Sequence, residues 1–250
     1  MSSTRIQARG EIRLNVIRLL AFGMLSILPA TSWAQQSPPI AEQIAKTYGL
    51  DSFGQIEAIR YTWSAELPGV TLSHRWEWSP KTDAVSYEGK DKEGKSIKVS
   101  YQRSQLSSQS DVIKSEIDPD FINDQYWLIL PLHVVWDGPT VTSDGMQKLA
   151  LGDGSAERVV VKYPSDAGYQ PGDTWDLYVG ADKRIVEIAY HHGANTPPKL
   201  VIATWTDHKK AGPLLVATDH RGTFDGKPLR VFISDVSVKV AGSENWINAQ

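Results

Sequence analysis

Six histidines and a few closely spaced aspartates are the residues of this chain best suited to acid–base or metal chemistry. The histidines are His74, His133, His191, His192, His208 and His220. Asp207 precedes His208 and Asp219 precedes His220, so a hydrolytic or zinc site could be drawn from His191, His208 and His220. The spacing argues against a metal, because zinc ligands usually come in tighter signatures. His191 and His192 also stand at a strand end, where neighbouring side chains point to opposite faces and cannot easily share one ion. We expect no metal and no cofactor.

Nucleophilic catalysis finds equally little. The chain has no cysteine, no G-x-S-x-G and no serine in a nucleophile-elbow setting. "GDG" (152–154) and "FDGK" read as turns, since no helix follows to present amide groups to a phosphate. Asp118, Asp120 and Asp124 crowd into "DPDFIND" without the spacing of an EF-hand calcium loop. Helix capping or Asx-turn roles are expected of them.

The larger signal is aromatic. Eight of the nine tryptophans follow residue 34. Each alone suits a half-buried strand, but together they imply a broad apolar surface that needs a cover. The expected lining residues on the first hairpin are Tyr61, Trp63, Leu72, Trp76 and Trp78. Tyr126, Trp127, Leu130 and Trp136 would close the surface from mid-chain, and Trp175 would join it from a later strand.

These residues need strands to hold them. Ile59, Tyr61, Trp63, Ala65 and Leu67 alternate with polar residues. After Pro68–Gly69, so do Val70, Leu72, His74, Trp76 and Trp78, which predicts an antiparallel hairpin with one buried face. Similar short runs recur around 85–101, 159–179, 186–204, 214–223 and 229–240. In the last, the apolar phase shifts after Ile233, predicting a bulge near Ser234–Asp235. Ahead of the strands, "IAEQIAKTYG" predicts a short amphipathic helix ending at Gly49. The pattern lapses over about 105–155, where "YWLILPLHVVW" is apolar but too short for a membrane span and contains Pro131.

Residues 1–34 have a different character. Arg5, Arg9, Arg13 and Arg18 precede "LLAFGMLSIL", and "TSWA" ends at Ala34. This three-part pattern predicts a secretory signal peptide cleaved after Ala34, leaving one domain over 35–250. Loss of those four arginines and of Glu11 takes the net charge from −3 to −6, so nothing favours nucleic acid. A soluble periplasmic monomer is expected. Without cysteine, it has to rely on its core for stability.

Taken in order, these features resemble the LolA-like outer-membrane lipoprotein carrier superfamily, over roughly residues 40–240. The resemblance is carried by "ND-x-YWL-x-x-P" at Asn123–Pro131, by "DLYVGADKRIVEI" (176–188) and by "TWTDHKKAGPLLVAT" (204–218). It implies a mainly β fold: a single antiparallel, strongly curved half-barrel of about ten to eleven strands. An N-terminal helix and a mid-chain helical or loop insert would cover the concave face. It further implies a lipid, acyl chain or other hydrophobic ligand as partner, a transient partner protein in the envelope, and no enzymatic residues. Two alternatives remain at this level: a periplasmic hydrolase using the strand-end His/Asp pairs, and an outer-membrane β-barrel. Strands nearer six residues than the 9–11 of a membrane barrel weigh against the latter.

Overall fold

The computed structural model describes residues 39–165, 170–193 and 199–250. The expected export segment 1–34 and its expected cleavage point lie outside these residues.

Alternation of apolar and polar residues builds most of the molecule. β1 (Ile56–Leu67) and β2 (Val70–Ser79) form the expected hairpin, with Tyr61 opposite Trp76 and Trp63 opposite His74. β3 (Ala84–Lys90) and β4 (Ser96–Gln102) continue it. The second half holds β5 (Thr140–Lys148), β6 (Ser155–Lys162), β7 (Thr174–Val179), β8 (Ile185–His192) and β9 (Lys199–Thr204). β10 (Thr206–Ala211), β11 (Leu214–Phe224), β12 (Lys227–Val240) and β13 (Trp246–Asn248) complete one antiparallel sheet. Its order is β4-β3-β2-β1-β12-β11-β9-β8-β7-β6-β5, with β10 beside β11 and β13 beside β12.

Among the described residues thirteen strands stand where ten to eleven are expected. β5 falls inside the expected insert 105–155, in the part (140–158) that reads as loop and hairpin, and it pairs with β6 as a hairpin. As an edge strand, β5 has mostly polar, exposed residues and lacks the apolar alternation that marks an interior strand. Several strands are also longer than expected, at 12 residues in β1 and 14 in β12, so length does not argue against a barrel. Topology does: the sheet is open, and edge strands β4 and β5 do not pair. The predicted bulge is present. Arg60 faces Ser237 but Thr62 faces Ser234, and Asp235 takes up the extra length at φ 54°. In β9 the buried residues are Val201 and Ala203, while Leu200, Ile202 and Thr204, the phase read from the sequence as apolar, are only partly buried. All four central residues of that strand are apolar, so alternation could not choose between its faces.

Among the described residues, one of two α-helices packs on the sheet and the other packs on that helix. α1 (Pro39–Thr47) buries Ala41, Ile44 and Ala45 and ends before Gly49, whose φ of 105° is open to glycine at little cost. α2 (Asp118–Trp136) is the apolar mid-chain run, with fourteen of its nineteen residues buried. It bends at Ile129 (φ −131°, ψ 24°), ahead of Pro131, which has no amide hydrogen to give the carbonyl four residues back. No helix among the described residues is long and apolar enough to cross a membrane.

The contacts of α2 show the curl of the sheet. Phe121 meets Trp76 and Trp78 on β2, while Tyr126 stacks on Trp175 of β7. Those strands are six spacings apart, about 29 Å in a flat sheet. Phe121 and Tyr126 are separated by about 7 Å of helix rise. One helix reaches both strands because the sheet wraps around it as a half-barrel.

Candidate functional site

Between α2 and the inner face of the sheet lies a cavity of about 380 Å³, near the low end of the roughly 300–1,000 Å³ of small-molecule sites. Trp63 and Ala65 of β1, Leu72 of β2, and Leu229 and Val231 of β12 line one side. Asn123, Tyr126 and Trp127 of α2 roof it. Trp175, Tyr190, His192, Lys199, Val201 and Phe224 form the far side.

Each aromatic wall residue is held by a neighbour. Trp63 stacks on His74 with ring centres 5.3 Å apart. Trp175 stacks on Tyr190 at 4.2 Å and donates its indole N–H to Gln170 Oε1 at 2.7 Å. Trp127 lies parallel to Trp205 at 5.9 Å and against His220 at 5.2 Å. A wall fixed in this way offers a pre-formed apolar surface, which lowers the ordering cost of binding.

Behind that wall is a buried polar cluster. His74 Nδ1 donates to Asp124 Oδ2 at 2.7 Å, Trp76 Nε1 donates to the same oxygen at 2.8 Å, and Asn123 Nδ2 donates to Oδ1 at 3.0 Å. Burial alone would lower the pKa of His74, but the hydrogen bond and charge of Asp124 raise it. Asp124 is also raised, since burial of its carboxylate outweighs the help of His74, Trp76 and Asn123. A second group sits at the end of α2, where Tyr126 Oη and His133 Nδ1 both donate to Asp137 Oδ2. Burial would raise the pKa of Asp137, yet those two donors hold it below the usual carboxylate range. Asp118, expected as a cap, instead accepts from Arg103 Nε at 2.7 Å and Tyr101 Oη at 3.0 Å in the interior.

The structure brings Trp63, Leu72, Tyr126, Trp127 and Trp175 to the cavity. Tyr61, Trp76, Trp78 and Leu130 are buried elsewhere in the core. Trp136 is 38% exposed and packs edge-on against Phe53, outside the cavity. Sequence reasoning missed Asn123, Gln170, Tyr190, His192, Lys199, Val201, Phe224, Leu229 and Val231 as lining residues. Tyr190, Leu229 and Val231 carried the alternation of an apolar strand face, and Asn123 stands beside Asp124 at the start of an apolar run.

The strand-end histidines do not converge. His191 pairs with Asp176 at 3.3 Å, His208 with Tyr48 Oη at 2.8 Å, and His220 with the Thr204 carbonyl at 3.2 Å. Burial pushes His220 down to about 3, so it stays neutral between its tryptophan neighbours. Each of the three histidines has its own separate partner, and among the described residues no group of three metal-ligating side chains forms. A larger groove of about 1040 Å³ lies on the outer face. Several of its charges already have partners within the protein, such as Lys98 with Glu88 and Lys209 with Asp207, so it reads as a solvated face.

No family model matches the chain, and no curated protein does. Among solved structures, a DUF1329 family protein from Desulfovibrio piger is similar, with a TM-score of 0.43 and 11% identity, covering 82% of this chain and 94% of that one. A LolA superfamily protein from Nitrosomonas europaea has a TM-score of 0.45 and 9% identity, covering 80% and 93%.

Proposed function

We propose that this protein binds a single apolar ligand, a lipid or acyl chain, in the cavity between α2 and the inner face of the sheet. One observation carries the reading: a cavity of about 380 Å³ whose walls are mostly aromatic and aliphatic, under a helix that covers the open side. Apolar surface facing a water-filled space costs about 25 cal/mol per Å², so an apolar occupant is favoured there. The sequence resemblance to lipoprotein carriers implies the same kind of occupant. The protein then acts as an exported periplasmic carrier, monomeric and without a catalytic step, once residues 1–34 are removed. The test is native mass spectrometry of protein purified from its own host, with solvent extraction of what it carries. An apolar molecule released at about one per chain supports the reading. Empty protein that also fails to take up any alkyl probe overturns it.

A further inference from the structure

We propose that the bound ligand is a single-chain amphiphile with an anionic oxygen head, a carboxylate or a phosphate monoester, seated with its head at Lys199 and His192. This inference rests on the apolar-ligand reading and adds the charge and direction of the ligand.

The cavity lining contains no aspartate and no glutamate. Its cation-forming side chains are Lys199 and His192, and they stand side by side. Lys199 lies directly opposite His192 in the β8–β9 register. Residues paired in this way share a face of the sheet, with Cβ atoms about 4.5–5.5 Å apart. Tyr190 and Val201, one pair further along that face, also line the cavity. Both cationic groups therefore sit on the cavity side of the sheet, at one end of it.

Each is available to an anion. Lys199 Nζ lies 6.0 Å from the centre of the Phe224 ring, another lining residue, and has no carboxylate within 4.0 Å among the described residues. Lys199 is solvent-exposed where it lines the cavity. His192 is oriented by Asp173, which accepts from His192 Nδ1 at 2.9 Å. Asp173 also accepts from Tyr190 Oη at 2.6 Å and the Gly193 amide at 2.8 Å, so its oxygens are already committed. His192 Nε2 has no protein partner among the described residues. An anionic head there can accept from the Lys199 ammonium and lies within reach of the His192 ring edge.

The other end of the cavity has no such groups. Leu67, Leu72 and Leu229 line it, and β2 and β9 stand four strand spacings apart, about 19 Å measured along the sheet. That separation suits an alkyl chain of medium length, with its tail toward Leu72 and its head at Lys199.

The experiment is titration calorimetry of delipidated protein with dodecanoate, dodecyl phosphate and dodecanol, each kept below its aggregation concentration. The inference expects at least one of the two anions to bind ten times more tightly than the alcohol. Lys199→Met should cut that preference to threefold or less, and Lys199→Arg should retain it. The anion that binds more tightly identifies the head as carboxylate or phosphate. Equal binding of all three, or an anion preference that survives Lys199→Met, overturns the inference and leaves the apolar-ligand reading standing. If none of the three binds, the apolar-ligand reading fails as well.

Discussion

His74 and Asp124, fifty positions apart in the chain, meet through a 2.7 Å hydrogen bond that fastens β2 to α2 in the interior. Both side chains are almost wholly out of water. A buried charge deprived of its partner is costly, at about 3–5 kcal/mol. Asp124→Ala is therefore expected to lower stability by about 3 kcal/mol, which a shift in the urea midpoint at constant m-value will show. Adding His74→Phe to that variant should recover part of the loss, because the stranded imidazole is gone. Additive losses in the double variant would mean that the two residues act independently.

His220 gives the acid side of the stability profile. Its folded value is depressed to about 3, so below the ordinary histidine range the unfolded chain takes up a proton that the folded one refuses. Stability from this residue is full above about pH 6.5 and falls with pH by about 1.4 kcal/mol per unit. His220→Phe should flatten that slope between about pH 6 and pH 4. Urea titrations of both proteins across the range will read the difference, and parallel profiles would exclude His220 as the source.

Ala65 lies on the cavity wall between Leu72 of β2 and Val231 of β12. Ala65→Phe projects a ring into the 380 Å³ space and should weaken binding of an alkyl probe at least tenfold. Trp136→Ala removes a larger aromatic that packs on Phe53 and His133 outside the cavity, and should leave affinity within about twofold. Calorimetry with one alkyl probe compares the two. Equal effects would place the ligand elsewhere.

Gly222 marks where β11 leaves β10 and meets β9. A Cβ at this position would stand 1.8 Å from the Ile202 carbonyl oxygen, a contact that only backbone movement can relieve. Gly222→Ala should cost about 3 kcal/mol, the upper part of the range for overpacking. It should also loosen β9, with faster amide hydrogen exchange at Val201 and Ala203. Unchanged exchange there would show that the strands can part without loss.

Much of the fold can be read from period-two alternation, and the β1–β2 hairpin and the Ser234–Asp235 bulge stand where it places them. What alternation misses has physical reasons. α2 is apolar on every face because it lies between sheet and α1, so no helical stripe shows. β5 is polar because it is an edge strand. Of the cavity lining, Trp63, Leu72, Tyr126, Trp127 and Trp175 were legible as apolar strand and mid-chain residues. Others, such as Lys199 and Phe224, come together only through the pairing of β9 with β11, which no local pattern encodes. The role of Asp124 was equally hidden, since its partner lies fifty residues earlier.

The sheet order also says something about time. Ile59 pairs with Val238, so the middle of the sheet joins the first long strand to the last. Everything from β2 to β11 must be synthesised before that seam can close, and contacts so distant in sequence make for slow folding. Until then the chain is two separate meanders, each with an unpaired edge. The step that commits it to the native state waits for its final long strand.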